Sequence, residues 1–319
     1  MRAAGKFFLL SALSLLLASL ISACSLSKQS TEPRWLVLAT TQDLNSSGLL
    51  DTILPPFEKA NNVRFKRLPV SYDKALQYAA DGGVDMLLVE QNTGKALADL
   101  AGPAPEMLPY QPEFNANPLA APTPVPHPTP TPSFDFIMTG RTTVFWSDLV
   151  LVGPPSEGLA NQYNTARAFK WVALGNLPFV VAGDAPGLKE VQERVWKLIG
   201  LEKESDRGTG YRVIAGDARS ALKEAEATGA YTVVPRYVFL NSVQSDKLKI
   251  ILGEDSAFYL GYEVSIPNTI RIPDRDVSLA RSFVSYLTSN STQSTVAGYK
   301  NNKSSDNLFR PASFRVYIP

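Results

Sequence analysis

Residues 35–51 read WLVLATTQDLNSSGLLD, and this stretch predicts how the fold begins. Residues 35–40 are mostly apolar and predict a strand, and residues 48–60 predict a helix with Ser46 or Ser47 as its N-cap. A strand that delivers hydroxyl and amide donors to a helix N-terminus is typical of an anion site. Asp43 lies inside the same loop, and its carboxylate repels anions.

The next segments continue the alternation of strands and helices. Residues 63–70 predict a strand and residues 72–80 a helix, and the apolar run VDMLLV at 84–89 is typical of a strand buried in a parallel sheet. The order βαβαβ predicts a parallel sheet with helices on its faces. Pro55 and Pro56 are expected to break or restart the first helix.

The second half of the chain repeats this pattern. Apolar runs predict strands at 148–153, 179–182, 211–215, 231–234, 249–252 and 262–266. Amphipathic stretches predict helices at 164–175, 189–199, 218–227 and 276–287. About 295 residues after Cys24 are enough for one large α/β domain or two of medium size.

The N-terminus predicts export. Arg2 and Lys6 precede residues 7–20, which are only apolar residues and serine, too few to span a bilayer comfortably. Small residues then lead to Cys24, the chain's only cysteine, as in bacterial lipoprotein processing. We expect a signal peptide at 1–23, an acyl anchor such as palmitate on Cys24, and a polar tether at 24–34. A leftover free thiol is the alternative for Cys24.

A proline-rich stretch interrupts the pattern at residues 102–133. Every second residue from Pro122 to Pro132 is proline, which favours an extended polyproline conformation. We expect an exposed insert, either a tolerated surface loop or a docking segment for a partner.

The residue inventory excludes several kinds of chemistry. The only histidine, His127, lies in the proline run, which argues against a Ser-His-Asp triad and a histidine-based zinc site. The phosphate-binding and dinucleotide-binding glycine motifs are missing from the sequence. We predict no catalytic residue, no cofactor and no metal. The net charge of +1 gives no sign of a nucleic-acid partner.

Two loops remain as candidates for a binding site. Each follows an apolar strand and precedes a helix, the position where open α/β sheets bind ligands. The loop at 39–48 contributes Thr40, Thr41, Ser46 and Ser47, and the loop at 181–187 contributes Gly183 and Asp184. Helix capping and turn formation are the simpler explanations for the same residues.

Several segments together resemble the tungstate-binding, oxyanion-specific solute-binding proteins of ABC transporters. The resemblance rests on LATT at 38–41, SGLLD at 47–51, VDMLLV at 84–89, SDLVLVGP at 147–154 and GAYT at 229–232. It covers most of residues 35–298 apart from the proline-rich insert.

The resemblance implies an α/β, two-lobed type II periplasmic-binding-protein fold, in which each lobe is a mainly parallel sheet flanked by helices and a hinge joins them. Lobe 1 is expected at 35–148 plus 250–319, and lobe 2 at 149–249. The implied protein is a monomer that closes on a tungstate- or molybdate-type oxyanion and delivers it to an ABC permease. The alternative is a non-transport lipoprotein that acts as a sensor or partner-binding module.

The resemblance also assigns roles to residues. Thr40 and Thr41 match threonines of the family's first oxyanion loop, while Gln42 and Asp43 replace a threonine and a serine. In the second loop, Gly183 and Asp184 are retained, but Ala182 replaces an arginine. We expect Arg236 to supply positive charge. The Asp43 carboxylate then points away, is offset by Arg236 or Lys189, or faces a cationic or neutral polar ligand.

Overall fold

The computed structural model describes residues 32–92, 138–242, 246–255, 258–269, 276–300 and 305–315. The expected signal peptide, Cys24 and the proline-rich insert at 102–133 lie outside these residues. None of the helices in the described parts of the chain is both long and apolar enough to cross a membrane.

The described residues form ten strands and ten α-helices. The strands are β1 (Arg34–Thr41), β2 (Val63–Val70), β3 (Met86–Glu90), β4 (Met138–Gly153), β5 (Phe179–Ala182), β6 (Tyr211–Ile214), β7 (Tyr231–Pro235), β8 (Lys249–Leu252), β9 (Tyr259–Pro267) and β10 (Arg310–Pro311). The helices are α1 (Gln42–Asn45), α2 (Leu49–Asn61), α3 (Tyr72–Ala80), α4 (Glu157–Ala160), α5 (Thr165–Leu174), α6 (Pro186–Leu198), α7 (Ala218–Thr228), α8 (Arg236–Ser242), α9 (Ser278–Leu287) and α10 (Asn290–Ala297).

The strands pair in the order β2-β1-β3-β9-β4-β7-β5-β6, with β8 and β10 added on β4. The pairs among β1, β2 and β3 are parallel, as are the pairs that β5 makes with β6 and β7. The central strands β4 and β9 run antiparallel to their neighbours. The sheets are therefore mixed rather than mainly parallel, because the strands that cross between the halves run against the outer ones.

Strand β4 belongs to both halves of the structure. Its residues from Met138 to Asp148 pair with β9, and its residues from Leu149 to Val152 pair with β7. Strand β8 also pairs with the second half of β4, although the predicted boundary at 250 placed most of β8 in lobe 1. We therefore propose that the return to lobe 1 falls after β8, before β9.

The first lobe is held by the apolar face of α2, which is buried from Leu49 to Phe57. Leu50, Ile53 and Phe57 are buried, and Phe57 packs on the ring of Phe283 with 5.0 Å between centroids. The helix continues through Pro55 and Pro56 instead of breaking there. Both prolines are exposed, so their rings face away from the core while the buried face remains intact.

The second lobe has an aromatic core of its own. Trp196 on α6 is fully buried against Phe169 and Phe179, with ring centroids at 4.5 Å and 5.6 Å. This packing fixes α6 and α5 on strand β5. It thereby sets the position of the loop between β5 and α6.

Candidate functional site

A cavity of about 230 Å³ lies outside the carboxyl ends of five parallel strands. Strands β1, β2 and β3 contribute its walls from one lobe, and β5 and β6 from the other. The lining residues are Thr41, Gln42, Asp43, Val70, Ser71, Tyr72, Glu90, Asp184, Ala185, Gly216, Asp217 and Ser220. Residues of both lobes therefore enclose one space, at the edge where α/β sheets bind ligands.

Asp43 connects the first lobe to a helix of the second. It lies in the first turn of α1, directly after β1, and its side chain is buried. The Ala218 N–H at the start of α7 donates to Asp43 Oδ2 over 3.0 Å. The carboxylate therefore occupies a helix N-terminus, the position that attracts anions. Asp217 caps the same helix by accepting from the Ser220 N–H over 3.0 Å.

Glu90 makes a similar connection at the second helix. It is the last residue of β3 and is buried. The Leu188 N–H in the first turn of α6 lies 3.4 Å from Glu90 Oε2. The N-termini of α6 and α7 are therefore both occupied by carboxylates from the opposite lobe, whereas the N-terminus of α3, which also lines the cavity, has no side-chain cap.

Burial makes both carboxylates costly to ionise. Desolvation raises the pKa of Asp43 to about 7, helped by the charge of Asp217 and opposed by the Ala218 N–H and Arg219. Desolvation raises the pKa of Glu90 to about 8, with Asp43 as the next cause. Neither Lys189 nor Arg236 compensates the Asp43 charge, as had been expected of them. Lys189 Nζ lies 3.7 Å from Glu204 Oε1, and Arg236 pairs with Asp148.

Several polar atoms at the cavity are buried without a hydrogen-bond partner. They are Thr41 Oγ1, Asp43 Oδ1 and the Tyr72 hydroxyl, all on residues that line the cavity. Thr40 Oγ1, one residue earlier, is in the same condition. Buried polar groups are normally paired with a hydrogen-bonding partner. These unpaired atoms are therefore the observation that most favours a ligand-binding site in this cavity.

Of the seven residues predicted for the site, Thr41 and Asp184 line the cavity. Thr40, Ser46, Ser47 and Gly183 lie close in sequence but do not line it. The Ser47 hydroxyl accepts from the Leu49 N–H over 3.1 Å, at the start of α2. The Ser46 hydroxyl accepts from the Arg219 guanidinium, and so forms a contact between the lobes. Gly183 allows close packing, because a Cβ there would lie 2.7 Å from the Ile214 carbonyl oxygen.

Arg236 lies at the crossing between the lobes instead of in the predicted cleft. Its Nε donates to Asp148 Oδ2 over 2.6 Å, where β4 passes from one sheet to the other. Glu254 and Asp306 lie at 3.6 Å and 3.8 Å from its other nitrogens. Three carboxylates thus surround this guanidinium among the segments that connect the lobes. Its positive charge therefore pairs with carboxylates at the hinge.

The sequence pattern did not indicate Tyr72, Glu90 or Asp217 as site residues. Each stands at a junction that was predicted: Tyr72 opens α3, Glu90 follows the apolar run at 84–89, and Asp217 precedes α7. A search for polar residues at every strand end would have included Glu90. The junctions for Tyr72 and Asp217 come together only through the tertiary fold.

The described residues hold no group of three or more side chains suited to bind a metal ion. The chemistry available at the cavity is hydrogen bonding by hydroxyls and charge interaction with carboxylates. The site is thus equipped to hold a small polar molecule.

Replacing Gly187 by alanine is expected to separate the lobes at the cavity. A Cβ at Gly187 would lie 2.7 Å from Glu90 Cβ and 2.7 Å from the Gln91 carbonyl oxygen, both in the opposite lobe. Since backbone atoms cannot move aside within a sheet, α6 must move away from β3. Small-angle X-ray scattering should show a larger radius of gyration than for the unmodified protein.

Gly298→Ala is the matched control, because its added Cβ meets no atom closer than 3.4 Å. An unchanged scattering profile for Gly187→Ala would show that the lobes are not held at this contact.

The fold and the site together define the class of protein. Two α/β lobes joined by crossing strands, with a cavity at strand ends of both, form a type II periplasmic-binding-protein fold. A solved tungstate-binding protein TupA from Desulfovibrio alaskensis superposes with a TM-score of 0.62 at 26% identity, covering 87% of this chain and 98% of that one. The expected fold is confirmed.

Relatives in sequence are named for the same class. The chain is 29% identical over 297 residues to a putative ABC transporter anion-binding protein of Haloferax volcanii, covering 89% of this chain and 75% of that protein. It is 26% identical to tungstate-binding protein TupA of Peptoclostridium acidaminophilum, covering 86% and 85%. No protein-family profile matches the chain. The resemblance stated from the sequence motifs is confirmed, and these relatives are binding proteins of transporters rather than enzymes.

Proposed function

We propose that this chain is the extracytoplasmic solute-binding protein of an ABC importer. The cavity between the lobes carries the proposal, because residues of both lobes line it and its first-lobe wall holds the unpartnered hydroxyls of Thr41 and Tyr72. A relative named as an ABC transporter anion-binding protein and one named as a tungstate-binding protein support the same role. The lobes would close on a small solute, and the closed protein would deliver it to a membrane permease.

The proposal includes the membrane attachment predicted from the N-terminus. Cys24 would carry the lipid, and the polar residues after it would let the protein reach the permease. More than one acyl chain is needed for stable attachment, at roughly 0.8 kcal/mol per buried CH₂. The protein would act as a monomer, with the permease as its partner and no nucleic acid involved.

The names of the relatives support an oxyanion such as tungstate or molybdate as the first ligand to test. The charges around the cavity oppose a dianion when they are ionised. A carboxylate about 4 Å from a dianion costs on the order of 4 to 8 kcal/mol at an effective dielectric constant near 20. Asp43 lies inside the loop that matches the oxyanion loop by resemblance, so this cost applies directly to it.

A thermal-shift screen of the full chain in detergent tests the proposed function. The panel contains tungstate, molybdate, sulfate, phosphate, amino acids and polyamines. A true ligand at 100 times its Kd is expected to stabilise the folded protein by about 2.7 kcal/mol, seen as a raised melting temperature. If no compound raises it, the non-transport lipoprotein becomes the better explanation.

A further inference from the structure

We propose that the cavity binds a small organic ammonium ion without a carboxylate group, such as a diamine. The inference rests on the proposed function and specifies the class of its solute. Four carboxylates and three unpartnered polar atoms at the cavity carry it.

Every charged residue of the cavity lining is acidic. It includes Asp43, Glu90, Asp184 and Asp217, and no lysine or arginine lies among its twelve residues. Low-dielectric walls concentrate a field of one sign, and such a field favours a cation in the enclosed space. An anion placed there meets repulsion from several sides.

Unpartnered atoms show where a ligand would be bound. Asp43 is 1% exposed and its Oδ1 has no donor. The hydroxyls of Thr41 and Tyr72, on residues 7% and 1% exposed, also have no partner. An ammonium group is a donor at every hydrogen, and each of these three oxygens can accept from such a donor.

Two of the helix N-termini that line the cavity are already occupied, while that of α3, at Ser71 and Tyr72, has no side-chain cap. The N-terminus of α7 donates to Asp43, and the first turn of α6 faces Glu90. With the ends of α6 and α7 bound to the chain's own carboxylates, a ligand carboxylate would lie among acidic side chains that repel it. This separates a diamine from a basic amino acid, which carries the same amine beside a carboxylate.

Arg219 is the basic side chain that acts on Asp43, but it is directed elsewhere. Its guanidinium donates to the Ser46 hydroxyl, and it does not line the cavity. It therefore lowers the cost of the Asp43 charge without occupying the ligand's place.

The volume fits a small molecule. A cavity of about 230 Å³ has room for a molecule of the size of a short diamine.

Calorimetric titration of the full chain in detergent with putrescine, ornithine and tungstate tests the inference. These probes are a diamine, the same diamine with a carboxylate, and an oxyanion. We expect putrescine to bind and ornithine to bind at least about tenfold more weakly. Binding of tungstate or ornithine in preference to putrescine overturns the inference and leaves the proposed function standing. Failure of every compound in both this titration and the thermal-shift screen overturns both.

Two variants test the residues. Asp43→Asn retains an oxygen for the Ala218 N–H but removes the charge, and should weaken putrescine binding about 10- to 100-fold. Tyr72→Phe should weaken it about 2- to 10-fold while stabilising the empty protein, since an unpaired buried hydroxyl is removed. Asp51→Asn is the control, because Asp51 is 63% exposed and pairs with Arg67 outside the cavity. Unchanged putrescine affinity in Asp43→Asn overturns the inference.

Discussion

Replacing Asp43 by asparagine is expected to raise the free energy of unfolding at pH 8 by on the order of 4 kcal/mol and to leave it unchanged near pH 3. The reason is that burial raises the pKa of Asp43 from 3.8 to about 7 in the folded protein. The folded state then binds a proton that the unfolded state releases. Stability is therefore highest below pH 4 for this group, and it falls as pH rises through about 7.

Denaturant titrations between pH 3 and pH 8, followed by tryptophan fluorescence, measure this effect. The difference between Asp43→Asn and the unmodified protein should grow steadily with pH. Glu90→Gln should behave in the same way with its rise centred higher, since the pKa of Glu90 is about 8. Asp51→Asn, on an exposed carboxylate, is the control. A constant difference across this range would show that Asp43 ionises normally.

Replacing Arg207 by methionine is expected to destabilise the protein by about 2–4 kcal/mol, because the hydrogen bonds of a buried guanidinium are lost, while its partner Glu193 is 36% exposed and can be hydrated. Arg207 is 1% exposed, and its two terminal nitrogens donate to both oxygens of Glu193. The remaining N–H groups donate to the carbonyl oxygens of Leu201 and Glu202 and to the Tyr211 hydroxyl. Methionine fills part of the volume but leaves these acceptors without donors.

Arg212→Met provides the matched comparison, because Arg212 is 45% exposed and its pair with Glu224 lies at the surface. Its effect should stay within about 1 kcal/mol. Arg207→Lys keeps the charge but lacks the planar set of five donors, so it should recover little of the loss. Equal melting temperatures for Arg207→Met and Arg212→Met would rule out a structural role for the buried guanidinium.

The periodicity of the sequence was sufficient for elements that are apolar and short. Residues 179–182 and 249–252 form strands with the predicted bounds. Strand β4 was predicted only from 148, although it begins at Met138. Its first half contains Gly140, Arg141 and several threonines, so the residue pattern does not show a strand. Pairing with β9 supplies the regularity that the local sequence lacks.

The site was harder to predict, because it depends on contacts between distant segments. Asp43 was identified as the residue that conflicts with an anion site, and the structure places it at the cavity. Its donor, Ala218, is 175 positions away, and no local signal connects the two. Arg236 was expected in the cleft because it is a cation in a matching motif. The apolar strand before it delivers it instead to Asp148 at the crossing.

The sharing of β4 between the two sheets has a mechanical consequence. Because the strand is unbroken, any rotation of one sheet against the other must be absorbed by a few backbone dihedrals near Asp148 and Leu149 and in the return segment before β9. Two such fixed crossings define a hinge axis, and rotation of one lobe about a single axis has one main degree of freedom. The two lobes that line the cavity would then move as rigid bodies. A substitution at the hinge axis would change how far the lobes open without contacting a bound ligand.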